Sequence, residues 1–215
     1  MKLNGLKFNF LGDSITEGVG TSGNDKRYFE IIKRIYNLSE VNGYGVAGTR
    51  MAKQIVPSEI PSYDQFFSSR VDSMENADGI VVFGGVNDFG SGDAPIGTFS
   101  DKTTGTFYGA CHDLYSKLIE KYYGKPIVIM TPLHFIDENI VKTKHGVEVT
   151  LKKYVDIIRE VAEFYSLPIC DLFKNSGIQP SIDVVRKKFM PDGLHPNDEG
   201  HKIIAERLGN FLSNL

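Results

Sequence analysis

Three polar clusters and one later Asp–His pair carry the residue types that acyl transfer to a serine requires. Ser14 follows a strand-like segment and is flanked by glycines. A serine hydroxyl is a weak nucleophile and needs a neighbouring base, a task that suits histidine near neutral pH. Asp192 lies three residues before His195, close enough within one turn for its carboxylate to bind the second ring nitrogen. Together, Ser14, Asp192 and His195 predict a catalytic triad.

The same clusters offer hydrogen-bond donors for the oxyanion of a tetrahedral intermediate. The backbone N–H groups of Ser14 and Gly48 and the side-chain amide of Asn87 supply three candidates. Gly48 and Asn87 follow strand-like segments, as Ser14 does, and glycine at 48 lets the backbone approach a ligand closely. Gly45 lies nearby and stays an alternative source of the second N–H group.

Two aspartates next to these clusters are expected to brace the site rather than to take part in the chemistry. Asp13 precedes the serine, where a second carboxylate would oppose the developing oxyanion. Asp88 follows Asn87, and such pairs commonly shape turns at strand ends. Among the remaining histidines, His134 follows a predicted strand and so could face the cleft, although most histidines are structural.

The elements that must position these residues alternate between strands and helices. Apolar or alternating segments predict five strands, at 6–11, 40–46, 79–84, 126–131 and 167–172. Helical periodicity marks 25–38, 107–123, 148–165 and the segment after 197. Such alternation is typical of a largely parallel sheet covered by helices on both faces.

Three stretches lack a regular pattern. Residues 89–106 are rich in Gly, Ser, Thr and Asp and are predicted to form a long loop, of the kind that often serves as a wall or lid. Residues 132–147 are expected to be irregular, and 173–191 to be loop-like. No linker or internal repeat divides the chain, which favours a single domain of residues 1–215.

The composition is that of an ordinary globular protein. Of 215 residues, 41% are hydrophobic and 24% are charged, the formal net charge is −3, and no Lys/Arg-rich run indicates a nucleic-acid partner. Cys111 and Cys170 are expected to be reduced core residues. No stretch is long enough to span a membrane, and no signal-peptide-like region follows Met1, which predicts a cytoplasmic protein.

In order and spacing, the clusters resemble the blocks of the SGNH (GDSL-like) hydrolase family. The four matching blocks are Gly12-Asp13-Ser14, the oxyanion glycine Gly48, Gly85-Val86-Asn87-Asp88 and Asp192-Gly193-Leu194-His195. Each block is weak alone, whereas four in order along the whole chain are specific. Ile15 occupies the position of the leucine in the Gly-Asp-Ser-Leu motif after which the family is named. The resemblance implies a flavodoxin-like three-layer α/β/α sandwich with a mainly five-stranded parallel sheet.

The resemblance also implies ester hydrolysis through an acyl-Ser14 intermediate, with His195 as general base and then general acid and with no metal or other cofactor. The polar 89–106 loop offers no long apolar surface, although burial of a long acyl chain gains about 0.8 kcal/mol per methylene. Small-molecule or oligosaccharide esters with short acyl groups, above all acetyl on a carbohydrate, are therefore the expected substrates. Segment 101–110 is similar to that of bacterial acyl esterases of the family. The oligomeric state stays open.

Other functions stay open at this point. A lysophospholipase or thioesterase would use the same residues on longer acyl chains. A metal-dependent phosphoesterase could gather Asp, Asn and His at strand ends, but the chain lacks an Asp-x-His pair after the first strand. A catalytically silent relative would bind glycans without hydrolysing them. A nucleotide-binding module would need a Gly-Lys-Ser/Thr motif after the first strand, and there is none.

Overall fold

The apolar segments of the sequence form a parallel sheet at the centre of the fold, in a computed structural model that describes residues 1–215. The strands are β1 Lys7–Gly12, β2 Glu40–Gly45, β3 Gly79–Phe83, β4 Ile127–Met130, β5 Lys142–Lys144, β6 Val147–Val149 and β7 Ile169–Cys170. Five of them form a sheet of order β2-β1-β3-β4-β7 in which every neighbouring pair is parallel. β5 and β6 form a separate antiparallel hairpin.

Nine α-helices and three short 3₁₀ helices connect the strands. The α-helices are α1 Ser14–Glu17, α2 Tyr28–Tyr36, α3 Phe67–Arg70, α4 Val86–Gly90, α5 Phe107–Lys121, α6 Leu151–Phe164, α7 Leu172–Asn175, α8 Asp183–Phe189 and α9 Asp198–Ser213. The 3₁₀ helices are Asn24–Lys26, Pro61–Asp64 and Val71–Ser73. None of the helices is long and apolar enough to cross a membrane. The cytoplasmic location stays a prediction.

Strand β3 shows why the sheet lies between two helical layers. Ile80 and Val82 belong to a core that includes residues of α5 and α6, whereas Val81 and Phe83 belong to a core that includes residues of α2 and α9. Successive side chains of a strand point to opposite faces, so a strand covered on both sides must be apolar throughout. The predicted α/β/α sandwich with a five-stranded parallel sheet is confirmed. The interpretation of residues 1–215 as one domain stays a prediction.

The strand order determines where a ligand is expected. From β1 the chain passes to β2 on one side and then returns to β3 on the other side of β1. In open α/β sheets, ligands bind outside the carboxyl ends of the strands at such a reversal. Ser14 follows β1, and Asn87 lies in α4 directly after β3, so both stand at this point of the sheet.

The structure corrects the sequence predictions in three places. The stretch 132–147, predicted to be irregular, contains β5 and the start of β6, joined by His145 and Gly146, whose φ angles of 48° and 79° suit a two-residue hairpin turn. The segment 173–191, predicted to be loop-like, contains α8. The last strand is only two residues long, because Asp171 caps α7 by accepting a hydrogen bond from the Lys174 N–H group.

His201 makes the stability of the fold depend on pH. It is fully buried, its Nδ1 accepts a hydrogen bond from the Tyr28 N–H group at 3.1 Å, and its Nε2 has no partner. Burial lowers the pKa of His201 from 6.5 to about 4. Between these pH values the unfolded chain binds a proton that the folded chain does not, so the free energy of unfolding falls as the pH falls. At about 1.4 kcal/mol per pKa unit, the loss amounts to roughly 3 kcal/mol.

Urea unfolding from pH 7 to pH 4 tests this prediction, with the His201→Asn variant as the comparison. The asparagine Oδ1 can accept the Tyr28 N–H bond but does not titrate, so the variant should lose less stability on acidification than the wild type. The buried carboxyl groups titrate alike in both proteins and cancel in the difference. Equal pH dependence of the two proteins would contradict the assignment.

Candidate active site

A tight strand-to-helix turn holds Ser14 at the carboxyl end of β1. Gly12 ends the strand, and a Cβ atom there would lie 2.0 Å from the Thr16 hydroxyl oxygen, so only glycine fits. Asp13 caps α1, because its Oδ1 accepts a hydrogen bond from the Ile15 N–H group at 3.1 Å. Ser14 is the first residue of that helix, and its own N–H group therefore has no partner within the helix. The turn leaves this N–H group free for a ligand.

Asp192 and His195 lie in a turn before α9 and form a hydrogen-bonded chain with Ser14. His195 Nε2 is 3.1 Å from Ser14 Oγ, and His195 Nδ1 is 2.7 Å from Asp192 Oδ2. The other oxygen, Asp192 Oδ1, accepts the backbone N–H groups of Leu194 at 2.8 Å and His195 at 2.7 Å. Gly193 takes the left-handed conformation that this turn needs, with φ of 83°. The structure thus brings together the three residues that the sequence singled out as a triad.

The electrostatics of this chain keep the Asp192 carboxyl ionised, so that it orients the His195 ring. Burial raises the pKa of the Asp192 carboxyl, but hydrogen bonds from the backbone of His195 and Leu194 and from the His195 ring outweigh it and hold that pKa below its ordinary value. Asp192 is therefore ionised at neutral pH and keeps the ring proton on Nδ1. The lone pair of Nε2 then faces the Ser14 hydroxyl, which is the geometry of a general base.

Asn87 lies in α4 and is tied to the turn that follows β2. Its Nδ2 donates one hydrogen bond to the Thr49 carbonyl oxygen at 3.0 Å, and a second N–H bond of the same amide remains. Gly48 stands in that turn with φ of 73°, and a Cβ atom there would lie 2.6 Å from the Tyr63 ring. Gly45, the alternative, lies within β2 rather than in the turn.

Asp88 braces the segment that follows this turn. Its two oxygens each accept a backbone N–H group at 2.9 Å, from Met51 and from Ala52. Burial raises the pKa of Asp88 to about 7, against the lowering effect of these bonds. Burial likewise raises the pKa of the Asp13 carboxyl, to about 6. Each of the two carboxyls thus accepts backbone N–H groups: Asp13 that of Ile15, and Asp88 those of Met51 and Ala52.

Arg70 joins three parts of the site and was not singled out from the sequence. Its guanidinium donates to the carbonyl oxygens of Gly12 at 3.0 Å and Tyr44 at 2.5 Å, and to the Thr49 hydroxyl at 3.1 Å. It thereby ties the ends of β1 and β2 to the turn that contains Gly48. Burial lowers its pKa to about 10, so the group remains charged at neutral pH. The one available signal was an arginine placed between the apolar residues Phe67 and Val71.

A small recess lies next to the chain neighbours of Ser14 and His195. It is lined by Asp13, Ile15, Phe83, Gly84, Val86, Pro132, Leu133, His134, Phe135 and Leu194. Asp13 and Ile15 flank Ser14 in the chain, and Leu194 precedes His195. The volume of the recess, about 10 Å³, leaves room for one water-sized group.

His134, whose role the sequence left open, and three phenylalanines of the predicted irregular stretches take different positions. His134 and Phe135 line the recess, whereas Phe89 is fully buried in the core. Phe99 packs against His112, with ring centroids 4.9 Å apart. No group of three or more His, Cys, Asp or Glu side chains is arranged to hold a metal ion.

Comparisons with known proteins place the chain in a family. The chain matches the GDSL-like Lipase/Acylhydrolase family over residues 10–203. A crystal structure of a protein from Lactobacillus plantarum is 27% identical, covers 98% of each chain and superposes with a TM-score of 0.83.

Two more distant structures share the fold. A possible lipase from Chitinophaga pinensis is 21% identical over 97% of this chain and 98% of that one, with a TM-score of 0.71. The acetyl xylan esterase AlAXEase is 21% identical over 95% and 98%, with a TM-score of 0.63. None of the curated proteins matches the chain. The family match covers most of the sequence, and the chain belongs to the GDSL-like lipase/acylhydrolase family.

Proposed function

We propose that this protein is a serine esterase that hydrolyses short-chain acyl esters, above all acetyl esters of carbohydrates, through an acyl-Ser14 intermediate. The observation that carries the proposal is the hydrogen-bonded chain from Ser14 through His195 to Asp192, with contacts of 3.1 and 2.7 Å. Membership in an acylhydrolase family supports the reaction class. The roles of the residues, the acyl group and the alcohol are what we propose in addition to that class.

In the proposed reaction, Ser14 Oγ attacks the acyl carbon while His195 Nε2 takes the hydroxyl proton. The oxyanion accepts hydrogen bonds from the Ser14 and Gly48 N–H groups and from the free N–H bond of Asn87. His195 then gives its proton to the leaving alcohol oxygen, and the acyl-enzyme remains. A water molecule, deprotonated by His195, attacks the acyl carbon. The bond to Ser14 Oγ then breaks, His195 returns the proton to that oxygen, and the carboxylic acid leaves. Asp192 stabilises the imidazolium in both steps.

The recess beside Ser14 supports a short acyl group. Its volume of about 10 Å³ leaves no room for a long acyl chain, so a smaller acyl group is favoured. A longer chain would have to leave the recess, and each methylene left in water forgoes about 0.8 kcal/mol of burial.

A larger groove adjoins Gly48 and supports a polar alcohol. Its volume is about 390 Å³, and it is lined by Arg50, Gln54, Val56, Ser58, Glu59, Ile60, Tyr63, Ser91 and Asp93. An aromatic ring with surrounding hydroxyl, amide and charged groups suits a saccharide, which offers an apolar face and a rim of hydroxyls. One structural neighbour is an acetyl xylan esterase, and xylan is a polysaccharide. At 21% identity, its likeness to this chain concerns the fold.

Hydrolysis of p-nitrophenyl acetate, butyrate and octanoate tests the acyl preference. We expect kcat/KM to be highest for acetate and lowest for octanoate, because the recess cannot hold the longer chain. EDTA in a parallel assay should leave the rates unchanged. A preference for octanoate would instead favour a lysophospholipase or thioesterase, and loss of activity in EDTA would contradict the serine mechanism.

Replacement of Asn87 by alanine tests the third oxyanion donor. We expect kcat to fall by about 10²–10³-fold with little change in KM, because the lost bond is stronger in the transition state than in the ground state. Asn87→Asp serves as the matched variant of equal size, and its negative charge should reduce kcat at least as much. Thermal unfolding checks that loss of the Thr49 contact has not unfolded either protein. A change in kcat below threefold would remove Asn87 from the oxyanion hole.

A further inference from the structure

A second histidine–carboxylate pair lies at the recess, and the proposed mechanism does not use it. His134 Nδ1 is 2.6 Å from Glu138 Oε2, and the His134 ring packs on Phe173 with centroids 3.9 Å apart. Glu138 is 7% exposed, and its other oxygen accepts a hydrogen bond from Gln179 at 3.3 Å. Besides Gln179, its hydrogen-bond partner is this histidine rather than a lysine or arginine. The His134 ring is therefore held in one orientation.

The contact with Glu138 determines which nitrogen of His134 is left for a ligand. A carboxylate only accepts hydrogen bonds, so the proton of the neutral ring stays on Nδ1 and Nε2 carries a lone pair. Nε2 has no hydrogen-bond partner within the protein and is not among the buried unpartnered atoms, so it is accessible from outside. His134 thus offers an oriented acceptor.

The size and lining of the recess give this acceptor a specific use. His134 lines the same recess as Ile15 and Leu194, the chain neighbours of Ser14 and His195. Most of the lining is apolar, and in such a pocket a few polar groups determine how a ligand is oriented. An acceptor in this position recognises a hydrogen-bond donor on the substrate. In an ester of a saccharide or of a short acid, the smallest such donor is a hydroxyl group.

We propose that His134, oriented by Glu138, selects esters that carry a hydroxyl group one or two carbons from the ester, by accepting its hydrogen bond at Nε2. This inference rests on the proposed ester hydrolysis. The hydroxyl belongs either to the acyl part, as in a 2-hydroxyacyl ester, or to the alcohol part, as in a monoester of a vicinal diol such as a sugar acetate. In both cases the chemistry that His134 recognises is the same.

Three small esters of similar size test the proposal and separate the two sources of the hydroxyl. They are ethyl acetate without a hydroxyl, ethyl glycolate with one on the acyl part, and 2-hydroxyethyl acetate with one on the alcohol part. Acid release at constant pH gives kcat and KM for each. For the wild type we expect one hydroxylated ester to exceed ethyl acetate in kcat/KM by about tenfold, the range of one neutral hydrogen bond. The preferred ester identifies the source of the hydroxyl.

Two variants and one control test whether the preference for a hydroxylated ester depends on His134 and Glu138. His134→Phe keeps a ring to pack on Phe173 but removes both nitrogens, so the preference should fall below about twofold, mainly through KM. Glu138→Gln no longer fixes the ring proton on Nδ1, so it should show an intermediate preference. His145→Asn is the control, because His145 lies in the exposed hairpin turn with φ of 48°, which asparagine tolerates. The control should keep the wild-type preference.

A merely structural role for His134 would reduce hydrolysis of all three esters by the same factor and leave the preference intact. That result, or a wild type that hydrolyses the three esters equally well, overturns the inference while the esterase proposal stands. A folded wild type that hydrolyses none of the three esters contradicts the esterase proposal and the inference together. Thermal unfolding of each variant ensures that folded proteins are compared.

Discussion

Replacement of Ser14 by alanine is expected to lower kcat for p-nitrophenyl acetate by about 10⁴-fold or more, because no acyl-enzyme can form without the hydroxyl oxygen. The rate that remains should come from the oxyanion donors and from binding alone. Alanine fits the first turn of α1, and the cap that Asp13 provides to the Ile15 N–H group does not involve the serine side chain. The fold is therefore expected to remain intact.

Ser22→Ala is the matched control for this variant. Ser22 lies nearby in the chain, is exposed, and donates its hydroxyl to Asp198 at 2.6 Å rather than to a histidine. We expect this variant to retain wild-type kcat. Activity of Ser14→Ala within tenfold of the wild type would show that another group is the nucleophile.

Replacement of Asp192 by asparagine is expected to lower kcat by about 10²–10⁴-fold. The asparagine amide can donate a hydrogen bond to His195 Nδ1, which moves the ring proton to Nε2. Nε2 would then donate to Ser14 rather than accept from it, and the base would be lost although the side-chain shape is kept. Steady-state kinetics at neutral pH, together with the circular dichroism spectrum, check this result.

Asp198→Asn is the control for the aspartate, because Asp198 lies three residues after His195 as Asp192 lies three residues before it. Its carboxylate binds Ser22 instead of the ring. We expect a kcat close to that of the wild type. Equal losses in the two variants would indicate a general charge effect rather than a role in orienting His195.

The residues at the strand ends could be predicted because their positions depend on local sequence. The apolar run of β3 identifies a strand buried on both faces, and the polar cluster after it must then lie at the carboxyl edge of the sheet. Asp192 and His195 could be paired because three residues separate them within one turn. Local periodicity was therefore enough to bring Ser14, Asn87 and His195 to one edge.

Arg70 and the His134–Glu138 pair could not be predicted in the same way. The partners of Arg70 lie 58, 26 and 21 residues away in the sequence, and only the folded sheet brings them together. His134 and Glu138 lie four residues apart, but the sequence around them has no helical period that would place both on one face. The hairpin of β5 and β6 was missed because its strands are short, largely polar and exposed.

Covalent labelling of the nucleophile tests the central claim most directly. The wild-type protein is treated with diisopropyl fluorophosphate, and the intact protein and its tryptic peptides are weighed by mass spectrometry. We predict a single adduct on the peptide of residues 8–26, located at Ser14 rather than Ser22 and formed more slowly in Asp192→Asn. Labelling of Ser14→Ala to the same extent as the wild type, or an adduct confined to another residue, would contradict the account.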